Sequence, residues 1–162
     1  MAIAICMIGV FITGMLIMDY IVSKDMTKEI NKIENDYQKM RLYYHIFNMW
    51  LDMKQQGKKL GEYMEKKGYK RVAIYGMREL GERLFVELRD AGIEIVCVID
   101  SNKNVLGNFT LISPEDEIPP VDLLIITADY YYAEIEKKMR EKVDCPILSA
   151  SGLLGNAFDR NL

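Results

Sequence analysis

The spacing of hydrophobic residues changes along the chain and divides it into four segments. Residues 1–22 form an almost continuous apolar run, and residues 23–56 carry apolar residues at alternating steps of four and three. Residues 57–148 alternate short apolar runs with amphipathic stretches, and residues 149–162 offer Leu153, Leu154 and Phe158 as large apolar anchors. These patterns predict, in order, a membrane-spanning helix, a coiled-coil-like helix, an α/β domain and a C-terminal tail.

The first segment has the length and composition of a single membrane span. Among the charged residues only Asp19 lies before Ser23, and a helix of this length reaches roughly 33 Å, enough to cross the hydrocarbon core. A secretory signal peptide is the alternative, but the run lacks a basic start and a clear A-x-A site. Basic residues follow the span, which predicts an inner (cytoplasmic) membrane protein with a cytoplasmic C-terminal domain.

The second segment carries a heptad stripe, which consists of Met26, Ile30, Ile33, Tyr37, Met40, Tyr44, Phe47 and Leu51. A period of 3.5 residues predicts a left-handed coiled coil, and we expect a homodimer formed through residues 26–51. The alternative is a single long helix that folds back onto its own domain. His45, the only histidine, lies beside the stripe and is predicted to be a surface residue.

Residues 70–102 have the pattern of a βαβ unit. An apolar run at residues 72–75 meets Gly76, and an amphipathic stretch then continues to a helix stop at Gly92. A β-branched run follows at residues 93–99. The two strands should be parallel neighbours joined by a right-handed crossover.

Three further strands are expected after this unit, at residues 108–112, 121–127 and 145–148. A helical turn is predicted at residues 113–116, and Asp129 is predicted to cap a helix after the fourth strand. The fold class is therefore α/β, with a small parallel sheet of about five strands in the order 3-2-1-4-5. A crevice should lie beyond the carboxyl ends of the first and fourth strands.

The turn after the first strand partly matches the Gly-x-Gly-x-x-Gly fingerprint of dinucleotide-binding domains. Gly76 and Gly81 hold the first and third positions, but Arg78 replaces the middle glycine. A side chain there crowds the place of a pyrophosphate, although a guanidinium group can also bind phosphate directly. Glu82 and Arg83 stand where a P-loop needs Lys and Ser or Thr, which argues against ATP hydrolysis of that kind.

The candidate cofactor-binding residues lie at the strand ends around this crevice, and they are Gly76, Met77, Arg78, Glu79, Gly81, Asp100, Thr127, Asp129 and Tyr130. NAD(P) or a nucleotide-sugar is the expected ligand class, with Asp100 placed to accept hydrogen bonds from a ribose. Asp100 can equally be a strand-end turn residue, and Tyr130 and Tyr131 can be surface aromatics. A scaffold without a ligand is therefore the competing interpretation.

Composition narrows the function further. The net charge is -3, and Lys and Arg are interleaved with acids, which excludes an extended basic surface for nucleic acid. The cysteines at 6, 97 and 145 have no metal-ligand spacing and are predicted to be reduced. We assign no catalytic and no metal-binding residue, since the domain offers no histidine base or Cys-His pair. A small NAD(P)- or nucleotide-sugar-dependent enzyme stays an alternative.

The residues VAIYGM-ELG--L--EL---GIEIV-VID-N, read from Val72 to Asn102, resemble the Rossmann-type domain of bacterial surface-polysaccharide proteins. Similar domains precede the acyltransferase module of sugar acetyltransferases and the catalytic domain of membrane nucleotide-sugar dehydratases. The resemblance extends over roughly residues 69–148. It implies an accessory module for cell-envelope glycan assembly, with membrane-associated glycan enzymes as partners, and fold analogy alone supplies no activity.

Overall fold

A computed structural model of the chain describes the backbone of residues 2–158, and the side chains of Met7 and residues 11–158. The helices are α1 (Ala2–Gln55), α2 (Leu60–Lys67), α3 (Glu79–Asp90), α4 (Tyr132–Met139) and α5 (Ala150–Phe158). The strands are β1 (Arg71–Tyr75), β2 (Glu94–Ile99), β3 (Leu111–Ile112), β4 (Leu123–Ile126) and β5 (Ile147–Ser149). The chain divides into two units, the first ending at Arg41 and the second beginning at Leu42.

The second unit is built on one parallel sheet in the order β3-β2-β1-β4-β5. Its central strand pairs on both sides, with Tyr75 opposite Ile99 of β2 and opposite Ile126 of β4. Because β1 and β4 are neighbours, the strand order reverses direction between them. The structure confirms the predicted α/β class, the parallel sheet, its strand order and the long helix.

Both faces of the sheet are covered, as the nearly unbroken apolar strands require. Val72 and Ile74 point to a core that includes α2, α3 and α5, whereas Ala73 points to the core under α4. β4 is buried at every position. The sheet is therefore doubly wound, and its carboxyl edge is the place where such folds bind ligands.

The C-terminal part of α1 packs on the domain through a face that does not include the heptad stripe. Ile46, Trp50 and Met53 are buried with 0–6% of their surface exposed. The indole Nε1 of Trp50 donates to Glu87 Oε2 at 2.8 Å. A second apolar face, at steps of four and three, therefore runs beside the stripe in the same helix.

Two local expectations differ from the structure. Most of the predicted tail is α5, whose Ala150, Leu153 and Leu154 are buried in the core. Residues 113–116 form a hydrogen-bonded turn instead of a helical one, with Ser113 N donating to Asp116 Oδ2 at 2.7 Å. Local Asp and Ser hydrogen bonds compete with helix formation, and Pro119 and Pro120 leave no room to extend it.

The first unit is the N-terminal part of α1. Its side chains form hydrogen bonds within the helix, such as the one that Thr27 Oγ1 donates to the Ser23 carbonyl oxygen at 2.7 Å. Over the residues that the structure describes, no helix is long and apolar enough to cross a membrane. The predicted span falls partly on Met1 and on the side chains of residues 2–6 and 8–10, which lie outside the described part.

Candidate functional site at the carboxyl edge of the sheet

The candidate residues are brought to one edge of the sheet, where parallel strands end together. Residues 76–81 follow β1, Asp100 follows β2, and Thr127, Asp129 and Tyr130 follow β4. Hydrogen bonds connect the three groups to each other or to neighbouring elements. The residues expected around the crevice therefore form a cluster connected by hydrogen bonds, and the chemistry of this cluster depends on what each side chain already binds.

The two glycines make the turn after β1 as tight as their positions suggest. Gly76 has φ +89°, a region that favours glycine. A Cβ on Gly81 would lie 2.2 Å from the Gly76 carbonyl oxygen, so α3 approaches the turn more closely than any side chain permits. This is the helix-strand packing role of a third fingerprint glycine.

Thr127 fastens the end of β4 to this turn. Its hydroxyl donates to the Gly76 carbonyl oxygen at 2.7 Å and also lies 3.1 Å from the Tyr75 carbonyl oxygen. Thr127 is only 4% exposed. Its hydroxyl is thus bonded inside the fold, and little of the residue is accessible to a ligand.

The carboxylate of Asp100 likewise accepts hydrogen bonds from the backbone. Oδ2 accepts from Met77 N at 2.9 Å, and Oδ1 accepts from Asn102 N at 2.8 Å. The carboxylate therefore ties the end of β2 to the turn after β1, while forming its own strand-end turn. The geometry corresponds to the structural interpretation of Asp100, and a ribose hydroxyl would have to share these oxygens with two amides.

Arg78 and Glu79 are the exposed charged members of the cluster. Arg78 stands at the N-cap position of α3, and Glu79 and Glu82 lie in the first helical turn. These acids complement the positive end of the helix dipole, which weakens the attraction of that helix end for a phosphate. Met77, between the turn and the helix, is 6% exposed and belongs to the core.

Asp129 does not cap the helix that follows it, contrary to the sequence expectation. It begins a 3-10 turn at Asp129–Tyr131, and its carboxylate reaches the start of α5. Oδ1 accepts from Ala150 N at 3.1 Å, and Oδ2 accepts from Ser151 N at 2.9 Å. Burial raises the pKa of Asp129, and the hydrogen bonds from Ser151, Ala150 and Ser149 oppose that rise.

Tyr130 and Tyr131 remain at the surface, with 37% and 46% of their area exposed. Their rings meet edge to face with centroids 5.2 Å apart. This arrangement agrees with the interpretation of the pair as surface aromatics.

Tyr43, on α1, is a residue of this cluster that sequence reasoning missed. Its hydroxyl lies 3.5 Å from the Thr127 carbonyl oxygen. Burial raises the pKa of Tyr43, with a further contribution from Asp129, while Arg78 lowers it. The signal that could have located Tyr43 is the second apolar face of α1, which follows helical steps of three and four. This face consists of Leu42, Tyr43, Ile46, Met49, Trp50 and Met53.

A cavity of ≈ 720 Å³ lies elsewhere, beside the segments that precede β1 and β2. Lys54 and Glu87 line it and form a 2.7 Å ion pair, and Lys59 pairs with Glu62 at 3.8 Å. None of the candidate residues borders this cavity. Its lysines and acids are interleaved, so it presents no charge of a single sign to a ligand.

Among the residues that the structure describes, no group of three His, Cys, Asp or Glu side chains could hold a metal ion. His45 is exposed on α1. Cys97 is buried, and burial raises its pKa to about 11, so it is a poor nucleophile near neutral pH. The arrangement can hold a structural turn rigidly, and Arg78 is its accessible cation.

Comparison with known proteins gives one family match. A family model described as "C2185-like, N-terminal" matches residues 68–146, from the stop of α2 to the residue before β5. The match covers the βαβ unit, β3, β4 and α4, and it excludes α1 and α5. No curated protein matches the chain. No solved structure matches it either.

Proposed function

We propose that the protein is a non-catalytic, membrane-anchored module that associates with a second copy through the heptad stripe and carries its α/β domain as a scaffold. The observation that carries this proposal is the exposure of the stripe. Its eight residues are 38–70% exposed, although α1 has a separate face that packs on the domain. A row of large apolar side chains left in water is unfavourable, and a partner helix would cover it.

Membrane anchoring is proposed from the apolar run at residues 1–22. The large apolar side chains described between Phe11 and Val22 are 49–72% exposed. Lipid would cover these side chains without leaving backbone N–H and C=O groups unpaired, because a helix forms its own backbone hydrogen bonds. The lysines after Ser23 favour a cytoplasmic domain at the inner membrane.

The scaffold role of the domain is supported by the contacts of the crevice. The side chains of Thr127, Asp100 and Asp129 already form hydrogen bonds with the backbone of neighbouring elements. Tyr43 brings α1 against the same edge. A site built for a ligand usually keeps a few convergent polar groups available.

A direct test compares two double variants of the full chain in detergent micelles. Ile33→Ser with Met40→Ser alters the stripe, whereas Asn31→Ser with Gln38→Ser alters the opposite, exposed side of the same helix. We expect the stripe variant to be monomeric by sedimentation equilibrium and the control to remain dimeric. A monomeric wild-type chain, or equal masses for both variants, would contradict the proposal.

Binding of NAD(P) or a nucleotide-sugar at the crevice is a second candidate, favoured by the tight glycine turn and by Arg78 at the start of α3. Calorimetric titration of the full chain with NAD(H), NADP(H) and nucleotide-sugars tests it. A site that uses Arg78 should lose affinity by roughly tenfold in Arg78→Ala, since a charged hydrogen bond contributes about 1.5–3 kcal/mol. Arg83→Ala, also exposed on α3, is the matched control.

A role in cell-envelope glycan assembly, with membrane-associated glycan enzymes as partners, is proposed from the resemblance of residues 69–148 alone. The family that matches residues 68–146 is described as an N-terminal domain, which suits a module that works beside other domains. We expect such enzymes to co-purify with the tagged full chain and to be lost with the stripe variant. That result would connect self-association to a role in glycan assembly.

A further inference from the structure

We draw no further inference here: the strongest candidate, the cavity of ≈ 720 Å³ beside the segments that precede β1 and β2, is lined by interleaved lysines and acids, and nothing among the described residues shows which ligand would fill it.

Discussion

The heptad stripe and the crevice differ in what their side chains already touch. Stripe residues such as Tyr44, 70% exposed, are not covered by the chain itself. Crevice residues such as Thr127 and Asp100 are bound to the backbone of neighbouring elements. A functional surface of a scaffold is expected to be available to a partner, and this contrast is the reason why we propose the stripe as the interaction surface and assign the contacts around Thr127 and Asp100 to stability.

The largest effect is expected from breaking the packing face of α1. Trp50→Ala removes a buried indole and its bond to Glu87, and we expect a loss of about 3–5 kcal/mol in the free energy of unfolding. Tyr44→Ala, on the stripe, should change it by less than about 0.5 kcal/mol in monomeric protein. Urea unfolding followed by circular dichroism measures both, and equal losses would erase the difference between the two faces.

A smaller loss is expected from opening the turn after β1. Gly81→Ala puts a Cβ against the Gly76 carbonyl, and the overpacking should cost about 1–3 kcal/mol. Gly155→Ala, in α5, has open space around the new methyl group and should stabilise by up to about 1 kcal/mol. A neutral Gly81→Ala would show that the crevice is looser than its contacts indicate.

Asp100 distinguishes a structural crevice from a ligand site. If its carboxylate serves the fold, Asp100→Ala should lower the stability of the ligand-free protein by about 1–3 kcal/mol, since two amides lose their acceptor. Asp90→Ala, an exposed aspartate at the end of α3, is the control with an expected change within about 0.5 kcal/mol. Unchanged stability in Asp100→Ala would favour a ligand role.

The smallest effect is a pH dependence at Asp129. Because burial raises its folded-state pKa above the unfolded value, its protonated form stabilises the fold at acid pH, and that contribution is lost as pH rises through the folded pKa. Wild-type stability should therefore fall relative to Asp129→Asn between about pH 4 and neutrality. Paired unfolding curves across this range test the direction, and the opposite slope would contradict it.

Much of the fold could be predicted because it follows from the order of hydrophobic, polar and glycine residues within short segments. The βαβ unit was located from the apolar run at residues 72–75, the stop at Gly92 and the β-branched second strand. The strand order followed from topology rules. The second apolar face of α1 went unrecognised because it overlaps the heptad stripe over residues 42–53. Two interleaved faces give one nearly continuous apolar pattern, which does not say which face meets the domain.

The candidate residues lie at one edge of the sheet, as the strand order predicted, but their side-chain partners could not be predicted. Asp129 illustrates the reason, because its partners at Ala150 and Ser151 are more than twenty residues away in a segment read as a tail. Tyr43 belongs to a helix that the pattern assigned to another role. Contacts of this kind depend on tertiary packing, which residue spacing in one segment does not encode.

The most direct test of the central claim is hydrogen exchange of the full chain in micelles at high and at low protein concentration. Helices gain most of their stability from packing, so the amides of residues 26–41 should be protected when the copies pair and exchange faster on dilution. The amides of residues 76–81 should be protected equally at both concentrations and with or without nucleotide. Protection of residues 26–41 that is independent of concentration, together with nucleotide-dependent protection of residues 76–81, would contradict the account.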